Sequence, residues 1–182
     1  MKTNNVIAVL LFAAGLAFCG AGCSELQTKS EKGEPMEPRI SSVTLGVADM
    51  QRSFHFYKDG LGFPTKMTPD GGIVLFATKG TALMLYPYEK LAKDTGLKAS
   101  TQENNREFFP GFTFGHCVRN KAEVDAVLSQ AEKAGGRIAV PAQDKSWGGY
   151  SGYFADPDGY LWEVLYSDQL KFHCDGSLII EE

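Results

Sequence analysis

Residues 152–166 read GYFADPDGYLWEVLY, and this stretch decides the fold. Two strand patterns, residues 151–155 and 161–166, flank the sequence Asp156-Pro157-Asp158-Gly159. Proline presets φ, aspartate bonds its own backbone and glycine accepts positive φ, as a type I turn followed by a glycine bulge requires. The turn is therefore read as structural. Upstream, residues 137–140 form another short strand pattern, preceded by a helix. Asn120 with Glu123 makes a capping-box pattern, Val124, Val127, Leu128 and Ala131 form one apolar stripe, and Gly135 ends it. A strand pattern over residues 111–118 comes first.

The same order occurs once before. Residues 40–47 read as a strand and lead into VADMQRSFHFYKDGLGF at residues 47–63. Here Asp49 is the N-cap, Met50, Phe54 and Tyr57 fall at helical spacing, and Gly60 is the stop. Residues 64–67, 72–78 and 82–86 then read as three strands separated by turn residues. Each half is thus β-α-β-β-β, a sheet with one helix-covered face and one bare face that a second half can close over. The expected class is α+β, with two βαβββ modules pairing into an eight-stranded open barrel. The modules are residues 39–87 and 111–166; residues 88–110 join them, starting as a short helix, and residues 167–182 form a tail.

A duplicated unit carrying these two motifs resembles the vicinal oxygen chelate superfamily, which includes glyoxalase I, extradiol dioxygenases and bleomycin- and fosfomycin-resistance proteins. The resemblance covers Arg39 to about Tyr166. It implies a glyoxalase-like fold and, in metal-dependent relatives, a divalent ion on four inward positions. Carried over by motif, those positions are Ser42, Met84, Thr113 and Glu163. One carboxylate with two hydroxyls and a thioether is a poor donor set for Mn, Fe, Ni or Zn. No cofactor is therefore expected, and Glu163 is the sole surviving ligand-type position. His116 lies on the strand of Thr113, but alternation puts it on the opposite face, towards the helices.

Glu163 is the one ionisable group expected inside the barrel. It reads either as a general base, the candidate catalytic residue, or as a carboxylate satisfied by neighbouring hydroxyls. Alternation adds Thr44, Tyr86, Cys117, Ser151, Tyr153 and Leu165 to the ligand-binding positions Ser42, Met84 and Thr113. This mix suits a largely apolar ligand with a few polar handles. Cys117 reads first as a small apolar filler. Trp147-Gly148-Gly149-Tyr150 precedes the seventh strand, so Trp147 and Tyr150 are candidates to cap the pocket mouth.

At the N-terminus, Lys2, an apolar run over residues 6–18 and the small residues before Cys23 form a targeting signal. The run is too short to span a bilayer. Its order resembles a bacterial lipoprotein signal, with residues 1–22 removed and Cys23 lipidated, although Gly20 stands where such signals usually carry leucine. Ordinary secretion and an uncleaved anchor are the alternatives. Residues 23–38, rich in Ser, Glu, Lys and Pro, read as a flexible tether. Export leaves Cys117 and Cys174 as either a disulfide or two thiols. With 182 residues, 43% hydrophobic content and a net charge of -4 without a basic cluster, the chain builds one core and offers no nucleic-acid footprint.

Two functions from different classes follow. One is a metal-free module at the cell envelope that binds a small organic molecule in an internal pocket, anchored to membrane only through lipid; bleomycin-resistance relatives bind across a dimer groove, which implies a homodimer. The other is a lyase or isomerase of the glyoxalase I type, with Glu163 as base or metal ligand. A surface for protein partners, with an occluded interior, is a third reading.

Overall fold

The computed structural model describes residue 36 and residues 38–97 and 111–180. The expected signal with Cys23, most of the tether and residues 98–110 of the joining stretch lie outside the described residues. One compact unit spans Arg39–Glu182.

The first half starts with β1 (Ser42–Val47) and α1 (Met50–His55). Asp49 caps α1 as its position predicts, accepting a 3.0 Å bond from the Arg52 amide. The expected single helix to Gly60 changes pitch at Phe56, where a π-helical turn, Phe56–Gly60, takes over. Its wider loops include the 2.9 Å bond from the Leu61 amide to the Phe56 carbonyl. Strands β2 (Val74–Ala77) and β3 (Ala82–Pro87) follow, then α2 (Tyr88–Thr95). β1 runs parallel to β3, and β2 antiparallel to it, giving the order β1-β3-β2.

The strand expected at residues 64–67 does not form. One ladder bond survives, from the Ala77 amide to the Pro64 carbonyl at 2.9 Å. Beyond it, the Leu75 amide meets the Met67 sulfur instead of a carbonyl, and the Met67 amide bonds Thr65 Oγ1. Pro64 has no amide to donate, and these side-chain partners compete with a ladder.

The second half has β4 (Phe114–Cys117), α3 (Lys121–Lys133), β5 (Arg137–Asp144), β6 (Tyr150–Ala155) and β7 (Leu161–Tyr166), in the order β4-β7-β6-β5. Asn120 accepts from the Glu123 amide at 2.9 Å, and Glu123 reaches back to the Arg119 amide at 2.9 Å. β5 runs four residues past its expected end, through two register irregularities against β6. The α+β class holds, with described sheets of three and four strands.

One apolar cluster joins the halves. Tyr57, Phe56 and Phe76 from the first half and Phe154, Trp162 and Val164 from the second are all buried in it. Phe154 stacks on Trp162 at 5.9 Å, and Tyr57 lies 6.2 Å from the same indole. A β-carbon on Gly60 would fall 2.3 Å from the Ala134 β-carbon, so the ends of the two helical layers approach where only glycine fits.

The Asp156–Gly159 turn holds the halves together. Its own geometry is the expected one: the Gly159 amide bonds the Asp156 carbonyl at 3.0 Å, and Gly159 has φ +93°. Its carboxylates reach further. Asp158 accepts from the Ala48 amide at 2.9 Å, from Arg52 Nη2 at 2.8 Å and from the Ser53 hydroxyl, all at the start of α1. Asp156, 4% exposed, accepts from the Tyr57 hydroxyl at 2.6 Å and from the Asp158 and Tyr160 amides at 2.9 Å.

Candidate functional site

Each sheet buries one face against the helices and leaves the other partly accessible. Along β7, Trp162 and Val164 are buried while Leu161, Glu163 and Leu165 are half-buried; along β3, Leu83 and Leu85 are buried while Ala82, Met84 and Tyr86 are not. Cross-strand register assembles the open faces. In the second half, Tyr153 lies opposite Glu163, Ser151 opposite Leu165, Gly115 opposite Glu163 and Cys117 opposite Leu165. In the first, Ser42 lies opposite Ala82, Thr44 opposite Met84 and Gly46 opposite Tyr86.

Glu163 is the centre of the second open face. Tyr153 stands opposite it in the strand register, and burial first, then that carboxylate, pushes the Tyr153 pKa up to about 12. Burial, reinforced by the Glu163 charge, also raises the pKa of Cys117. A thiol held neutral is a poor nucleophile, which agrees with the filler reading of Cys117. Cys117 and Cys174 are both free thiols.

The remaining positions fall as follows. Thr44 Oγ1 sits 3.7 Å from the Met84 sulfur, and Tyr86 donates to Asp94 of α2 at 3.0 Å. α2 leans on the first open face, since a β-carbon on Gly46 would stand 3.0 Å from the Tyr88 ring. Ser42 is exposed at the strand start. Thr113 lies just outside β4, its hydroxyl spent on the Leu161 carbonyl at 2.9 Å. Trp147 is 51% exposed, its ring laid on Gly149.

Tyr150 needs correction. Its hydroxyl donates to Asp125 of α3 at 3.0 Å, with Lys121 Nζ 5.2 Å from its ring. It belongs to the helix-covered face because it precedes Ser151 in the strand, and neighbours in a strand point to opposite sides. Alternation alone carried that signal.

The four metal-type positions do not fit an ion. Thr113 Oγ1 is turned to a backbone carbonyl, Met84 offers a thioether beside Thr44, and Glu163 is the one carboxylate among the four. Among the described residues, no three of His, Cys, Asp and Glu converge. His116 pairs with Val164 on the helix-covered side, and desolvation lowers its pKa against the pull of Glu123.

The family model described as the Glyoxalase/Bleomycin resistance protein/Dioxygenase superfamily matches residues 39–164. The chain belongs to this superfamily. Among solved structures, a glyoxalase-related enzyme from Fulvimarina pelagi is 27% identical with a TM-score of 0.70, covering 80% of this chain and 100% of its own. A glyoxalase/bleomycin resistance protein/dioxygenase from Nocardioides is 24% identical at a TM-score of 0.58, covering 75% of this chain and 88% of its own. A lactoylglutathione lyase from Agrobacterium tumefaciens is 22% identical at a TM-score of 0.50, covering 71% and 94%. No curated protein matches.

Proposed function

We propose that this superfamily member is an exported, lipid-anchored module that binds a small organic molecule on its open sheet faces without a catalytic metal. One observation carries the reading: the Glu163 carboxylate stands on a face only partly withdrawn from solvent, opposite Tyr153 in the strand register, among groups unsuited to a metal. Such a carboxylate is available to accept a hydrogen bond from a ligand hydroxyl or amine. The half-buried Leu161, Leu165, Met84 and Tyr86 supply the apolar part of the surface. Residues 1–22 deliver the chain to the envelope and Cys23 carries the anchor.

The test is metal content by mass spectrometry on the full chain, before and after incubation with Mn, Fe, Ni and Zn, followed by a thermal-shift ligand screen. The expected result is no stoichiometric metal, and ligand shifts that disappear in Glu163→Gln and Tyr153→Ala. Near-stoichiometric metal lost in Glu163→Gln overturns the reading. That outcome favours the lyase or isomerase alternative, for which the Tyr153–Glu163 pair offers an acid beside a base. The alternative requires turnover of an α-ketoaldehyde or its thiohemiacetal.

A further inference from the structure

The Ser151 hydroxyl is fully buried and has no hydrogen-bond partner. A buried polar group without a partner costs stability, about 1–3 kcal/mol, so its persistence calls for an explanation. Its surroundings supply one. Ser151 lies between Gly149 and Tyr153 on one side of the β5–β6 hairpin. The Lys145 amide bonds the Gly149 carbonyl at 2.8 Å, so the ladder extends past both strands to this pair. Gly149, Ser151 and Tyr153 therefore share the open face with Lys145.

The hairpin turn folds back over that face. The Gly148 amide bonds the Lys145 carbonyl at 3.0 Å, and Gly148 has φ +90°. The Trp147 indole then lies directly on Gly149, where a β-carbon would fall 1.7 Å from the ring. Only glycine leaves room for it. On the other side of Ser151, Lys145 Nζ stands 6.0 Å from the Tyr153 ring centroid. Along this face the indole and the lysine flank Ser151, whose cross-strand neighbours are Gln143 and Leu165, and the indole is 51% exposed.

We propose that Trp147 and Lys145 form a displaceable cover over a polar subsite, Ser151 with the Tyr153–Glu163 pair, that takes a neutral, hydroxyl-bearing ring. This rests on the reading that the open face binds a small molecule. The subsite's charges select the class. An anion meets Glu163 and a cation meets Lys145, so neither net charge is favoured. Ser151 both donates and accepts, Glu163 accepts, and the freed indole offers a flat apolar face against which the ring lies. The ligand hydroxyl supplies the partner that Ser151 lacks.

The cover is tested without a ligand. Ser151→Cys is labelled with methyl methanethiosulfonate in the full chain, and modification at position 151 is followed by peptide mass spectrometry, with and without Trp147→Ala. The expected result is slow labelling with Trp147 in place and acceleration on the order of tenfold without it. Equal rates in both, fast or absent, overturn the cover. The ligand class is tested by titrating methyl glucoside and, separately, cyclohexanediol while following tryptophan emission. The chain has two tryptophans, and Trp162 is 8% exposed, so a change that vanishes in Trp147→Phe belongs to the cover. Ser151→Ala should weaken binding of whichever ring binds about fivefold without lowering stability, because it removes a hydroxyl with no partner in the free protein. Saturation by neither ring, or a destabilised Ser151→Ala, overturns the subsite. Loss of binding in Glu163→Gln with no effect of Trp147 or Ser151 leaves the binding module standing and this inference refuted.

Discussion

Asp156 sets a pH dependence whose sign is open to direct test. Two effects oppose each other at this carboxyl. Burial at 4% exposure disfavours the charge, while the Tyr57 hydroxyl and the Tyr160 and Asp158 amides favour it. Burial wins, and the pKa rises from 3.8 to about 6, with the nearby Asp158 charge adding to the rise. A carboxyl whose folded pKa exceeds its unfolded value binds more protons folded than unfolded. Stability therefore increases as pH falls through 6 and levels off below about 4. The full gain is roughly 3 kcal/mol for about two pKa units, of which about 1.4 kcal/mol is present at pH 5.

The assay is urea unfolding of the wild type and Asp156→Asn between pH 7.5 and about 4.5. Asparagine keeps an oxygen for the two amides, and its amide nitrogen can donate to the Tyr57 hydroxyl. It imitates the protonated acid without titrating. His116, with its lowered pKa, and Asp175, lowered by its bonds to Ser177 and by Lys79, contribute equally to both proteins and cancel in the difference. The wild type should gain on the variant as pH falls, by about 0.6–1.9 M in urea midpoint at an m-value of about 1–3 kcal/mol/M. A flat difference, or a wild type that loses ground in acid, would falsify the reasoning. The second outcome would mean that the three donors outweigh desolvation.

Other expectations concern the same framework. Asp158→Ala should cost about 2–3 kcal/mol in urea unfolding, because it leaves the Ala48 amide and the buried Ser53 hydroxyl without this partner. Arg52→Ala should cost under about 1 kcal/mol, since Arg52 is 46% exposed and its ion pair is screened. Gly60→Ala should destabilise by about 1–3 kcal/mol in the same assay, through the 2.3 Å clash with Ala134, and a neutral result would mean the helix ends separate freely. Tyr150→Phe should leave affinity for any open-face ligand within about twofold by calorimetry, whereas Tyr153→Ala should abolish it; matching losses would put Tyr150 back at the ligand.

What the sequence disclosed divides by range. Local rules located the caps Asp49 and Asn120, the bounds of β7 and the glycine-bulge turn, because each depends on residues within four positions of one another. Alternation put Glu163, Tyr153, Ser151 and Cys117 on one face, since a strand fixes the parity of every residue along it. The same rule, applied one residue earlier, would have removed Tyr150. Strand formation at residues 64–67 failed because a ladder needs a partner's free groups, and here Met67 and Thr65 side chains compete for the amides. The clamp of Asp158 on the start of α1 and of Asp156 on the π-helical turn spans about a hundred positions and has no local signature. A turn chosen for its backbone conformation thus carries two carboxylates whose task is set by the other half of the molecule. The β5–β6 turn follows the same logic: its glycines satisfy a local bend, and Gly149 also makes the space in which Trp147 lies over the open face.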